Sequence, residues 1–323
     1  MSRPSETLLD LSLSTAALDR AAHGRRDPEL IPQLLADPAT RVLDLRGDRV
    51  RVETGNPAGN AAPGSGDGGA AVAARISLRP PAEADRSRLV LYLGRDGEHT
   101  AYLAVVGEAL EDPDPAQWPT LREVGPSLDD RDASLFTAAL ALGNWHAAHP
   151  RCPRCGTPTV PMEGGWVRHC PQDGSSHFPR TDVAVIMAVT DQDNRLLLAR
   201  GPQWAVARGS VLAGFVEPGE TLEAAVAREV QEEVGLTVTD ITYRGSQPWP
   251  FPSSLMVGFT ARVDGGADLT LDPVEIAEAE WFTREELRQQ VASGEFGLPS
   301  RLSIARRLIE DWYGGPITGP RAP

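Results

Sequence analysis

Apolar positions recur at three- and four-residue steps between Asp132 and His146, through Leu135, Ala138, Ala139, Leu142 and Trp145, and predict a helix. Upstream, Arg41–Val52, Arg88–Leu93 and Thr100–Val106 read as strands. Between the first two, Thr54–Ala74 consists mainly of Gly, Ala, Pro and Asn. Such a segment buries too little apolar surface to offset its chain entropy, so it predicts a flexible insertion. Further along, the apolar run Val183–Val189, a turn at Asp191–Asn194 and a second run Leu196–Leu198 predict a β-hairpin. Leu222, Val226, Val230 and Val234 form an i, i+4 row on a helix over Leu222–Val234, and a last helix is expected near Arg301–Tyr313. This alternation predicts an α/β domain with a mixed sheet, and there are no internal repeats.

Length and composition narrow the class. A chain of 323 residues with 41% hydrophobic and 24% charged residues suits two or three globular domains. No apolar stretch reaches the roughly 18 residues of a membrane span. The Leu-rich piece Leu8–Leu18 is interrupted by Asp10 and preceded by Glu6, unlike a secretory signal. A cytoplasmic location and no membrane partner are therefore expected. The net charge of −14 argues against a protein held to nucleic acid by its overall field. It leaves an anionic substrate open, because a divalent cation inverts the local potential. Every basic residue is Arg and none is Lys, which we ascribe to coding bias. The three cysteines, Cys152, Cys155 and Cys170, are odd in number and clustered, so metal binding is a better reading than disulfides.

The chemistry concentrates between Gly214 and Leu236. Pro218-Gly219 makes a turn, Thr221 is a good N-cap, and Gly235 stands where a left-handed residue would end the helix. Glu229, Glu232 and Glu233 sit at i, i+3 and i+4, so they crowd one helical face with only Arg228 nearby to pair them. A solvated acidic face is the ordinary explanation of such a cluster. The preceding glycine loop and the fixed spacing favour hard oxygen ligands for Mg²⁺ or Mn²⁺ instead.

The segment resembles the Nudix box, Gly-x5-Glu-x7-Arg-Glu-U-x-Glu-Glu-x-Gly-U with U aliphatic, at all nine specified positions, Gly214, Glu220, Arg228, Glu229, Val230, Glu232, Glu233, Gly235 and Leu236. The resemblance implies an α/β/α Nudix fold with a mixed sheet and hydrolysis of a nucleoside diphosphate linked to another moiety. It makes Glu229 and Glu233 metal ligands, and Glu232 a ligand or the residue that positions the attacking water. Glu232 and Glu233 are the catalytic candidates. Arg228 would orient the glutamates, and Glu220 would reach the metal only through water. The proton-accepting base stays open among Glu232, Glu233 and a downstream carboxylate.

After the box, Ser246-Gln247-Pro248-Trp249-Pro250-Phe251-Pro252-Ser253-Ser254 alternates prolines with aromatics in a stiff loop. Trp249 and Phe251 could stack on a base or nicotinamide ring, or fill a core. The array resembles that of the NADH pyrophosphatase subgroup, in which Gln247 to Ser254 would contact substrate. By the same resemblance Glu275 binds metal, with Glu278 as its nearest competitor, and Ala213 lends a carbonyl to a metal. Ala305 contacts substrate, Phe178 replaces a tyrosine that faces it, and Arg122 matches a substrate-contacting arginine. Cys152-Pro-Arg-Cys155 and Cys170-Pro-Gln-Asp173 resemble the subgroup's zinc ribbon, with aspartate in the fourth slot. His177 and His169 are rivals for that slot, and a metal-free ribbon is the alternative.

The expected organisation is a small N-terminal α+β domain (1–148), a zinc-ribbon-like segment (149–180), the Nudix domain (181–316) and a tail (317–323). The expected activity is hydrolysis of NADH or NAD⁺ to NMN(H) and AMP, extending to 5′-NAD caps on RNA. A Nudix hydrolase of ADP-ribose or a nucleotide sugar, and an inactive nucleotide sensor, are the alternatives. A homodimer is implied by the resemblance alone.

Overall fold

The computed structural model describes residues 11–14, 17–54, 74–204 and 207–319. Most of the expected insertion (55–73), the first ten residues and the last four of the expected tail lie outside that range. The chain forms two compact units, one of residues 13–181 together with 249–253, the other of 182–248 and 254–319 with residues 11 and 12.

The first unit contains α1 (Leu30–Ala36), β1 (Arg41–Arg46), β2 (Arg49–Val50), β3 (Val52–Thr54), β4 (Ala74–Ile76), β5 (Leu89–Arg95), β6 (Ala101–Gly107), α2 (Leu121–Val124) and α3 (Asp130–Ala148). A four-stranded sheet runs β2-β1-β6-β5, with β1 and β6 parallel. One core gathers Val42, Tyr92, Leu103 and Val105 with Leu34 of α1. The helix expected over Asp132–His146 is α3, two residues longer at each end; Asp129 caps its start by accepting from Asp132 N at 2.8 Å. The cysteine segment follows as a three-stranded sheet of β7 (Val160–Met162), β8 (Val167–His169) and β9 (Ser176–His177).

Buried polar bonds tie α3 to this small sheet. Arg168 donates from Nη1 to His146 Nδ1 at 2.7 Å, from Nε to Thr159 Oγ1 at 2.6 Å and from Nη2 to the Thr159 carbonyl at 2.8 Å. A cationic donor at Nδ1 leaves the His146 proton on Nε2, which reaches the Gly165 carbonyl at 2.8 Å. Burial, reinforced by the Arg168 charge, holds His146 below the usual histidine range. Arg168→Met orphans these acceptors and is expected to lower the unfolding free energy by about 2–3 kcal/mol in a urea titration. Because the folded value of His146 is depressed, its contribution is complete above about pH 6.5 and is lost as pH falls from there through the lower folded value. An unchanged urea midpoint would rule this network out as a support.

The second unit is an α/β/α sandwich. Its strands are β10 (Asp182–Thr190), β11 (Leu196–Arg200), β12 (Leu212–Phe215), β13 (Val238–Trp249), β14 (Ser254–Val263) and β15 (Glu278–Phe282). Its helices are α4 (Leu222–Val234), α5 (Arg284–Ser293) and α6 (Ile304–Tyr313). The mixed sheet runs β13-β14-β10-β11-β15, with β12 paired to β10, and β10 and β14 parallel. The run 183–189 is apolar throughout because β10 is covered on both faces. Val185, Met187 and Val189 pack with Val226, Val230 and Val234 of α4. Ile186 and Ala188 pack on the opposite side with Ile304, Leu308 and Ile309 of α6. The predicted hairpin is β10–β11, antiparallel at Thr190 and Leu196.

Candidate active site

Helix α4 begins as its sequence dictates. Thr221 Oγ1 accepts from Ala224 N at 3.2 Å, and Gly235 closes the helix with φ 74°. Its apolar row is buried against the sheet, which fixes the rotation of the helix and therefore the direction of its acidic side chains. Glu229 and Glu233 are drawn inward and are 7% and 6% exposed.

The third carboxylate comes from a distant turn. Thr270 N donates to the Val234 carbonyl at 2.9 Å and Asp272 N to the Glu233 carbonyl at 3.0 Å, tying the segment to the end of α4. Asp272 then folds a tight turn, accepting from Val274 N at 2.8 Å through Oδ1 and from Glu275 N at 3.2 Å through its carbonyl. One carboxylate oxygen from each of Glu229, Glu233 and Glu275 thus lies within 4.8 Å of the others. Among the described residues Glu233 Oε2 is buried with no hydrogen-bond partner. Burial first, and then the charges of Glu229 and Glu275, push the Glu233 carboxyl up to about 8. Three converging carboxylates with an unsatisfied buried oxygen fit a hard divalent cation, which would satisfy both the charge and the open oxygen.

Gly214 on β12 completes the cradle. A Cβ there would lie 1.9 Å from the carboxyl carbon of Glu229. The fold accommodates a methyl group by moving that side chain, but the ligand then leaves its place. Gly214→Ala is therefore expected to melt within a few degrees of the wild type yet bind Mn²⁺ about 10- to 100-fold more weakly. Calorimetric titration with unchanged Mn²⁺ affinity would exclude this role. Ala213, the expected carbonyl donor, is the neighbouring residue on β12 and pairs with Ile186.

Arg228 organises the periphery. It grips Glu220 through Nε and Nη2, both at 2.8 Å, and donates through Nη1 to Glu229 and Glu232 at 2.9 Å. Its Nη2 also reaches the Phe215 carbonyl at 2.9 Å, joining helix to strand. These bonds hold the Glu220 carboxyl down to about 2. Glu232, expected to converge with its neighbours, is exposed in this pair and lies outside the carboxylate triad. Glu278, the rival of Glu275, is also outside the triad and pairs with Arg200 at 2.8 Å.

Two residues expected at the substrate have packing roles here. Gln247 is 0% exposed, and its amide donates to the Ser12 and Leu302 carbonyls at 2.6 and 2.8 Å and accepts from Ile304 N at 2.8 Å. That hydrogen bonding fixes the start of α6 and leaves no amide proton for a ligand. Ala305 is buried in the core beside Ile304 and Leu308. Phe178 is 68% exposed. Pro248 and Ser254 flank the part of the loop that belongs to the other unit.

In that other unit Trp249 and Phe251 meet edge to face at 4.9 Å and 74°. The Arg122 guanidinium carbon lies 3.9 Å from the Phe251 ring centre and 5.0 Å from that of Trp249. Arg122, matched in the sequence to a substrate-contacting arginine, thus lies over both rings of the loop. Asn144 of α3, which nothing in the sequence signalled, donates to the Pro250 and Pro252 carbonyls at 3.1 and 3.0 Å.

The ribbon brings together Cys152, Cys155, Cys170 and Asp173, whose ligand atoms all lie within 4.8 Å of one another. Cys155 and Cys170 sulfurs are 3.5 Å apart, and Cys152 Sγ is 3.3 Å from Asp173 Oδ2. Three soft sulfurs and a carboxylate at this spacing fit one tetrahedral cation. The other aspartate oxygen, Oδ1, accepts from Ser175 N at 2.9 Å and Ser175 Oγ at 2.5 Å, which hold the carboxyl well below its usual range. His177 stands behind, with Nε2 3.0 Å from Ser175 Oγ, and neither it nor His169 enters the cluster.

Comparison with known proteins covers the same three parts. The NUDIX domain matches residues 180–300, the NADH pyrophosphatase zinc ribbon domain 147–178, and the NADH pyrophosphatase-like rudimentary NUDIX domain 39–145. The chain is 41% identical over 311 residues to the "NAD-capped RNA hydrolase NudC" of Mycobacterium bovis, covering 93% of this chain and 94% of that protein. It is 40% identical over the same shares to the protein of that name from Mycobacterium tuberculosis. A Deinococcus radiodurans protein of the same name is 44% identical over 69% of this chain and 76% of its own length. A relative of this identity spanning almost the whole chain, with the complete box and its carboxylate triad, places the protein in the NADH pyrophosphatase subgroup of the Nudix hydrolase family.

Proposed function

We propose that this protein hydrolyses the diphosphate bond of NADH or NAD⁺ to give NMN(H) and AMP, and that it removes the same group from the 5′ end of NAD-capped RNA. The observation that carries the reading is the convergence of Glu229, Glu233 and Glu275 on one point at the end of the box helix. These carboxylates, with the Ala213 carbonyl, are the ligands we assign to Mg²⁺ or Mn²⁺. When bound, the cation neutralises diphosphate oxygens and makes a water molecule acidic enough to attack phosphorus. Glu229 and Glu233 are held by a packed helix, so their approach costs no reorganisation at the moment of reaction. The proton of the attacking water passes to a carboxylate, Glu232, Glu233 or one downstream of the box. Glu232 remains open to solvent while Arg228 fixes its direction.

Trp249 and Phe251 offer aromatic faces for the nicotinamide or adenine ring, with Pro248, Pro250, Pro252, Ser253 and Ser254 shaping the loop and Phe178 and Arg122 as further contacts. Zn²⁺ is the ion the ribbon's donor set suits, and its role is structural. The three family matches support reading the chain as an N-terminal domain (1–148), ribbon (149–180), Nudix domain (181–316) and tail (317–323). No helix among the described residues is long and apolar enough to cross a membrane. We take the protein to be a cytoplasmic homodimer, which light scattering tests. With a net charge of −14, long-range attraction adds little to RNA affinity, so cap recognition rests on the dinucleotide.

The decisive experiment incubates the protein with NADH, NAD⁺, ADP-ribose and NAD-capped RNA, first with Mg²⁺ and then with Mn²⁺, and quantifies AMP, NMN(H) and decapped RNA. Release of AMP and NMNH from NADH is the expected result. Turnover of ADP-ribose alone would replace this reading with a nucleotide-sugar hydrolase.

A further inference from the structure

The loop 249–253 belongs to the first compact unit although its sequence neighbours on both sides belong to the second. Its composition explains why it needs outside support. Pro248, Pro250 and Pro252 have no N–H, so between 248 and 252 only Trp249 and Phe251 can donate from the backbone. Phe251 N is used inside the loop, reaching the Trp249 carbonyl at 2.7 Å. The residue in the same relation to the Pro250 carbonyl is Pro252, which has no N–H to give.

Asn144 answers that need with one functional group. A carboxamide nitrogen carries two protons, and those of Asn144 serve the two carbonyls on either side of Phe251. The residue sits near the end of the nineteen-residue helix α3, and the next two residues, Trp145 and His146, are buried. It is therefore a donor on a rigid support. Arg122 covers the two rings from its place on α2. Backbone and aromatic faces of the loop are thus both held by the N-terminal part of the chain.

We propose that Asn144 is a positioning residue that presets the Trp249–Phe251 pair for a flat ring of the dinucleotide. The inference rests on the reading of this loop as a substrate contact given above. It has a distinctive consequence: Asn144 acts through the loop, so its removal costs nothing more once the loop has lost its aromatic.

The test is a double-mutant cycle with Asn144→Asp and Trp249→Ala in the full chain. Asn144→Asp keeps the size of the side chain and turns both donors into acceptors. It is expected to raise KM for NADH about tenfold with kcat within about twofold of the wild type. In the Trp249→Ala background the same change is expected to have less than about a twofold effect on kcat/KM, which a general loss of stability would not produce. If Trp249→Ala lowers kcat/KM for NADH while Asn144→Asp alone does not, the positioning role is overturned and the loop reading survives. If the two effects simply multiply, the role is overturned as well. If Trp249→Ala itself has no effect, the loop reading fails and takes this inference with it.

Discussion

A Glu233→Gln variant is expected to lose NADH turnover by at least about a thousandfold while folding normally. The amide keeps the shape of the side chain and removes the charge at the most buried of the three ligands. The same substitution separates two properties of the site. In metal-free protein the Glu233 carboxyl is raised from the ordinary glutamate value to about 8 by burial and by its two acidic neighbours. A group whose folded value is raised contributes stability that is complete below its unfolded value and is lost as pH rises through the folded one. Metal-free wild type should therefore melt progressively lower from about pH 5 to about pH 9, and the Gln variant should show less of that decline. Added Mg²⁺ or Mn²⁺ should raise the melting temperature of the wild type most at the alkaline end, because the cation binds only the folded, ionised triad. The variant should gain little. Wild-type turnover in the variant, or a melting temperature of the chelated wild type that ignores pH over this interval, would remove Glu233 from the centre of the site.

The cation site was legible in the sequence to the extent that it is local. Thr221, Gly235 and the apolar row fix one helix and its rotation, so Glu229 and Glu233 are among the three glutamates that spacing groups together, and the family resemblance singles them out as ligands. Glu232 has the same spacing argument in its favour but is turned to solvent, because Arg228 takes it and, at 3.6 residues per turn, it points about 100° away from its neighbour Glu233. Glu275 could be reached only through the family resemblance. What brings it to the triad is a pair of backbone hydrogen bonds from residues 270 and 272 to the end of α4, which no periodicity reports. The proline-aromatic loop shows the opposite limit. Its stiffness is plain from composition, yet composition is silent about Gln247, whose amide is consumed by three backbone groups distant from it in the chain, at Ser12, Leu302 and Ile304. Asn144 illustrates the same point, being an ordinary polar residue until the fold sets two carbonyls beside it. The ribbon was readable because the Cys152–Cys155 pair, and Cys170 with Asp173 at the same spacing, match the two knuckles of the ribbon that the chain resembles. The choice of Asp173 over His177 needed the turn at Ser175, which aims one aspartate oxygen at the sulfurs and holds the other.

That ribbon carries the second large effect. Purified protein is expected to hold about one zinc per chain, and Cys170→Ser to lose it with a fall in melting temperature of about 10 °C or more. The small sheet β7–β9 has little apolar core of its own, and the strand residues Val160 and Met162 are half exposed. Its shape depends on the cluster. Without a cation, Cys170 is a buried thiol pushed up to about 11 mainly by burial, packed against another sulfur at 3.5 Å. With a cation the sulfurs become thiolates and the bond energy of the site becomes folding energy. Asp173 grades the response. Asp173→Ala should keep zinc at reduced affinity, since three sulfurs remain. Asp173→Cys should tighten it, because a fourth thiolate suits zinc better than a carboxylate already engaged by Ser175. Zinc content by atomic emission and competition with a chromogenic chelator measure the order directly, Cys170→Ser below Asp173→Ala below wild type below Asp173→Cys. Zinc-free wild type that melts with the loaded protein would show that the cluster holds its shape by packing alone.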